Sequence, residues 1–104
     1  MRLVILESPY AGNIDKNVEY AKACMLDSFS RGEYPFASHL LYTQVLNDNI
    51  PDDRALGIAA GLEWGKHAEA TVVYLDYGIS EGMKKGIENA KKEGRKVMYR
   101  NINR

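Results

Sequence analysis

One cysteine, three prolines and one tryptophan in 104 residues leave little covalent or rigid bracing. Cys24 has no second thiol for an intrachain disulfide, and neither histidine stands at ligand spacing to it, so no metal site is expected and the thiol's expected role is core filling. No apolar run approaches the roughly 18 residues that a membrane span requires. The first polar break falls at Glu7, with no charged segment and long apolar stretch ahead of it, so no secretory leader is expected either. A single cytoplasmic domain is the expectation. Net charge is also missing, because 14 basic and 14 acidic residues cancel. The balance conceals an asymmetry: residues 84–104 carry Lys84, Lys85, Lys91, Lys92, Arg95, Lys96, Arg100 and Arg104 against only Glu88 and Glu93. No aromatic residues interleave with the first four, which fall where a surface helix carries its solvated face, so a nucleic-acid partner is not expected.

What is present is an alternation of short apolar runs and helical periodicities. MRLVILE gives a buried strand over residues 2–6. Asn13 or Asp15 caps a helix on which Ile14, Val18, Ala21, Met25 and Phe29 recur, ending at Gly32. Tyr34 to Ala37 is a second strand, followed by a long connection of mixed signals from Ser38 to Pro51. Pro51, Asp52 and Asp53 open a second helix, with Ile58, Leu62 and Trp64 among its apolar positions and a stop near His67, where the histidine is a C-terminal cap. ATVVYL, residues 70–75, is the clearest strand; Ser80 caps a third helix that carries Met83, Ile87 and Ala90 and stops at Gly94; KVMYR closes the chain's pattern as a fourth strand. Strands alternating with helices imply a doubly wound α/β fold, a parallel four-stranded sheet covered on both faces through right-handed crossovers.

In such sheets the ligand lies beyond the carboxyl ends of the strands, at the point where strand order reverses. Three stretches end there: LESPYAGN after the first strand, SHLLYT after the second and DYGIS after the third. Glu7, Ser8, Tyr10, Ser38, His39, Asp76 and Ser80 are therefore expected to converge. Pro9 fixes its own φ and holds the first turn open. Ser8 and free amides at the helix start suit an anion, but neither G-x-G-x-x-G nor G-x-x-x-x-G-K-[ST] is present, which counts against ordinary NAD or ATP binding. Tyr10 either stacks on a base or closes the core's edge. His39 either acts as a base or phosphate ligand or bonds the loop from Leu40 to Pro51. In the third stretch, Asp76 can take hydroxyls, Gly78 bends the chain, and the helix start at Ser80, Glu81 and Gly82 favours negative charge. Glu63 is a candidate acid if it turns inward, and solvated otherwise.

The S-P-Y after the first strand, S-H-L-L-Y after the second and D-Y-G-I-S-E-G-M opening the third helix resemble the nucleoside 2-deoxyribosyltransferase superfamily. The chain is most similar to its small uncharacterised members from bacteriophages and their hosts. The resemblance covers nearly the whole chain and implies a flavodoxin-like three-layer fold, a homo-oligomer, and a nucleoside or nucleotide in the cleft. Tyr10 would lie near the base, and Asp76, Ser80 and the neighbouring Gly78, Gly82 and Met83 near the sugar or phosphate. No cofactor is implied.

In these relatives a glutamate six residues after the serine attacks the anomeric carbon and carries the sugar covalently. Six residues after Ser80 stands Gly86, which supplies no carboxylate. Glu81 comes too early, and Glu88, two residues later, points about 200° round the helix. The reading that follows is a nucleotide-binding protein without the transfer reaction, of the kind that would sequester a nucleotide immune signal such as a cyclic ADP-ribose derivative. The alternative is an N-glycoside hydrolase or deoxyribosyltransferase in which Glu7, Glu63 or Asp76 replaces the missing glutamate. A third is a protein-binding module that uses the exposed basic helix.

Overall fold

A computed structural model describes residues 2–102. Its elements are β1 (Arg2–Glu7), α1 (Ile14–Ser30), β2 (Glu33–Phe36), α2 (Ser38–Leu41), a 3-10 turn (Tyr42–Gln44), α3 (Pro51–Gly65), β3 (Ala70–Tyr74), α4 (Glu81–Lys92) and β4 (Lys96–Arg100). The sheet is parallel throughout, in the order β2-β1-β3-β4. Strand order therefore reverses between β1 and β3, which puts the crevice beyond their carboxyl ends. The expected α/β fold is the observed one; the long mixed connection resolves into α2, the 3-10 turn and a loop.

Period-two alternation divides the strand side chains between two faces. On one, Val4, Leu6, Val72 and Tyr74 pack with Tyr20 and Cys24 of α1. On the other, Val73 packs with Met83 and Ile87 of α4, supported by Leu75 and Val97. Glu7 stands opposite Val73 in the β1–β3 register and so belongs to the α4 face.

The buried face of α1 is Asn17, Tyr20, Ala21, Cys24 and Ser28. Of the apolar positions expected to define it, Ala21 is buried, whereas Ile14 and Phe29 are exposed. The polar members are buried because each has a partner: Asn17 donates to the carbonyls of Tyr10 and Ala11, both at 3.0 Å, and Ser28 donates to Glu33 at 2.7 Å. Glu33 itself is fully buried and accepts from Arg100 at 2.9 and 3.0 Å and from Arg2 at 3.0 Å. Burial alone would raise its pKa, but bonds from Arg100 and Ser28 and the charges of Arg100 and Arg2 outweigh that and hold it below the usual carboxylate value.

The helix ends follow their sequence signals. Asn13 accepts from the Lys16 amide, Pro51 sits in the first turn of α3, and Ser80 accepts from the Met83 amide. Helix α3 is different in kind. It is apolar nearly all round, yet Gly65 is its only fully buried residue among those described. Leu56 and Trp64 face outward, 60% and 55% exposed. A helix apolar on every side is normally covered on every side.

Candidate functional site

At the carboxyl end of β1 lies a cavity of about 140 Å³, many times the ~10–15 Å³ that one water needs. Its walls come from the β1–α1 turn, from α2 and the 3-10 turn, from one face of α3, and from the first turns of α4.

Ser8 and His39 form the first polar pair. Ser8 is buried at the end of β1, and its Oγ shares a 2.7 Å hydrogen bond with His39 Nε2 on α2. Burial lowers the His39 pKa to about 4, so the imidazole is neutral at physiological pH. The next turn of chain fixes the same residue, because Thr43 Oγ1 donates to the His39 carbonyl at 2.7 Å.

Glu7 is the second polar centre. Its carboxyl makes no hydrogen bond or ion pair among the described residues. Burial raises its pKa to about 8, against an opposing pull from the Arg95 charge. The carboxyl lies against the backbone of α4 at Gly86: a Cβ there would stand 2.0 Å from Glu7 Oε2 and 2.5 Å from its carboxyl carbon. Any side chain at position 86 would therefore meet Glu7 in the same space. Strand β1 puts a carboxyl where α4 itself offers none.

Arg95, in the turn between α4 and β4, supplies the buried cation. Its side chain is only 6% exposed. Nε donates to Thr71 Oγ1 at 3.0 Å, and Nη1 donates to the Gly65 carbonyl at 2.7 Å and to Glu93. A Cβ at Gly65 would come within 3.0 Å of Nη2, and one at Gly61 within 2.7 Å of Ser38 Oγ. The glycines Gly57, Gly61 and Gly65 thus form the cavity-facing side of α3 and let its backbone come close.

Towards the rim, Arg54 pairs with Asp48 at 3.3 Å, and Asp53 accepts from the Asn47 amide at 2.9 Å. These bonds pin the loop before α3 to its first turn. Lys85 lines the same rim, with no ion-pair partner among the described residues.

Residues 2–100 match the family described as a domain of unknown function, DUF7768. The chain belongs to this family. No curated protein matches it.

The residues expected to converge divide into two groups in this DUF7768 chain. Glu7, Ser8, Tyr10, Ser38, His39, Ser80 and Gly82 line the cavity. Pro9, Glu63, Asp76, Gly78 and Met83 are not among its lining residues. Asp76 serves the α1 side: it accepts from Tyr20 at 2.6 Å and from the Ile102 amide at 3.0 Å. Glu63 is exposed and accepts from Lys66 at 2.7 Å. Met83 is core, and Gly78, at φ 81°, makes the bend before α4. Arg54 and the loop residues Tyr42, Thr43 and Asp48, expected only as cover for the cleft from a second copy, line it from within the same chain, whereas Arg95 and Lys85 are additions that the sequence places only in the basic segment. No local pattern marks Arg95, since its partners Thr71 and Gly65 are distant in sequence. Among the described residues, no group of three or more His, Cys, Asp or Glu is arranged to hold a metal.

Proposed function

We propose that the cleft takes a nucleoside or nucleotide and acts on its N-glycosidic bond, with Glu7 as the working carboxyl. The observation that carries this reading is the shared space of Glu7 and position 86. The resemblance to deoxyribosyltransferases implies a carboxyl borne by that point of α4, Gly86 cannot supply one, and the Glu7 carboxyl fills the space into which a side chain at position 86 would grow. The remainder of the cavity suits such a ligand. Its floor holds two groups kept uncharged by burial, Glu7 and His39, next to the Ser8 hydroxyl, and Lys85 stands at the rim where a phosphate would emerge. Tyr10 offers a ring for the base.

A second reading, binding without chemistry, as in sequestering a nucleotide signal, is favoured by the same uncharged floor: a neutral carboxyl donates a hydrogen bond but does not attack carbon. Incubating the pure protein with nucleosides, nucleoside monophosphates and cyclic ADP-ribose isomers, then separating bound from free material, distinguishes the two. Release of free base, lost in Glu7→Gln, supports the enzyme. Retention of an unchanged ligand that is recovered on heat denaturation supports the binder.

The oligomer implied by the resemblance has its own support in α3, whose Leu56 and Trp64 stay exposed although the helix is apolar over most of its length beyond the first turn. Trp64 also donates to Tyr42 at 2.8 Å and packs on Phe36 at 5.6 Å between ring centroids, which extends the apolar surface to the edge strand β2. A second copy packed on α3 would brace one wall of the cavity.

A further inference from the structure

We infer that Glu7 serves as the proton donor to the departing base, so that the reaction is hydrolysis by water rather than transfer through a sugar bonded to the protein. This rests on the reading that the cleft acts on an N-glycosidic bond, and it fixes which half of that chemistry the carboxyl performs.

The argument begins with what surrounds the carboxyl. Glu7 is half-buried at the end of β1, and a carboxylate partly withdrawn from water needs donors, whether amides, hydroxyls or a guanidinium bonded to it; without them the charged form is disfavoured. Glu7 has none of these among the described residues. The cation nearest in effect, Arg95, directs Nε and Nη1 to Thr71, Gly65 and Glu93 instead. The surface against which the carboxyl lies is the α4 backbone at Gly86, in the interior of a helix, where amides are already bonded within the helix. The other titratable or charged groups of the cavity are Tyr10 from the β1–α1 turn, His39 from α2, Tyr42 from the 3-10 turn, Lys85 from α4, and Asp48, Asp53 and Arg54 around the loop before α3. His39 is engaged with Ser8, and Arg54 and Asp48 with each other. None of them bonds Glu7.

A protonated carboxyl in a ligand cavity is a poor nucleophile and a competent acid. In the inferred step, the Glu7 proton passes to an acceptor atom of the base, and the electron pair of the sugar–base bond leaves with the base. Water adds to the resulting sugar cation and releases its surplus proton to solvent, and Glu7 regains a proton from solvent. The products are free base and free sugar, and water is the only co-reactant. This also gives Gly86 a reason: a larger residue there would expel the acid from its position.

The test measures base release from nucleosides and nucleoside monophosphates by wild type and Glu7→Gln between pH 4.5 and 10, with intact-mass spectrometry of protein quenched during turnover. The inference expects a rate that is level up to about pH 8, falls roughly tenfold per unit above it, and drops about 100-fold or more in Glu7→Gln. No sugar adduct should accumulate on the protein. A thermal melt of Glu7→Gln at pH 6 that is no lower than that of wild type assigns the loss to chemistry. A rate that rises through pH 8, or a sugar adduct lost on mutation of Glu7, would overturn the proton-donor role while leaving the N-glycosidic reading intact. No base released from any substrate at any pH would overturn both.

Discussion

Burial holds both Glu7 and His39 uncharged in one cavity, but one is an acid and the other a base, so their contributions to stability run in opposite directions with pH. Each group that binds a proton in only one of the two states contributes a slope of about 1.4 kcal/mol per pH unit. Folded Glu7 keeps its proton up to about pH 8, whereas the unfolded chain gives it up near 4.5, so stability is lost as pH rises across that interval. Folded His39 stays neutral down to about pH 4, whereas the unfolded chain takes a proton below 6.5, so stability is gained as pH rises from 4 to 6.5. From 4.5 to 6.5 the two slopes cancel, and from 6.5 to 8 Glu7 acts alone. The expected fall over that upper interval is about 2 kcal/mol, or roughly 10 °C in Tm for a domain of this size. Glu7→Gln removes the falling limb and uncovers the rising one: the variant should gain about 3 kcal/mol between pH 4 and 6.5 and then stay level. Urea midpoints at half-unit pH steps measure both curves. A wild type that gains stability from pH 6.5 to 8, or a Gln variant that still loses it there, refutes the assignment of a half-buried, neutral Glu7.

Gly86→Ala drives a methyl group into the Glu7 carboxyl and should cost about 1–3 kcal/mol in the wild-type background, read by urea denaturation. In a Glu7→Ala background the same change no longer meets that carboxyl and should be neutral or stabilising by up to about 1 kcal/mol, as expected for alanine replacing glycine inside a helix. Equal effects in the two backgrounds would mean that the residues do not compete. Glu33→Gln leaves Arg100 and Arg2 facing a neutral group in a buried network and should cost about 3 kcal/mol by the same assay. Because the folded Glu33 pKa lies below its ordinary value, the wild type should lose this contribution as pH falls below 4.5. Leu56→Glu on the outer face of α3 should convert an oligomer to monomer in light-scattering chromatography; a monomeric wild type would remove that reading.

The strands were legible because short runs of branched apolar residues have few other uses, and the helix ends because Asn13, Pro51 and Ser80 sit where their chemistry is needed. The buried face of α1 was less so. Periodicity counts apolar residues, whereas Asn17, Tyr20 and Ser28 are buried on account of partners at Tyr10, Asp76 and Glu33 that periodicity does not see. Asp76 shows a signal that was present and unused. Alternation from Val73, on the α4 face, places Tyr74 with α1, Leu75 with α4 and Asp76 with α1 again, on the far side of the sheet from Glu7. Arg95 left no such trace, since its place depends on three elements meeting.

The same alternation assigns Ile5 and Glu7 to the α4 face, so a carboxyl at the end of β1 on the ligand side was implicit in LVILE; that it would rest on Gly86 was not. The element that carries the group then decides its proton affinity. A glutamate carried by α4 would reach the cavity from a helix lying over the sheet. One carried by β1 emerges from a central strand bonded on both sides, with buried Val73 opposite and helix backbone above. It enters the cavity beside Gly86 with no hydrogen-bond donor to its carboxyl among the described residues, and burial then raises its pKa. On the proposed reading, this is why moving the acid from helix to strand changes the step it can perform from attack on the sugar to protonation of the base.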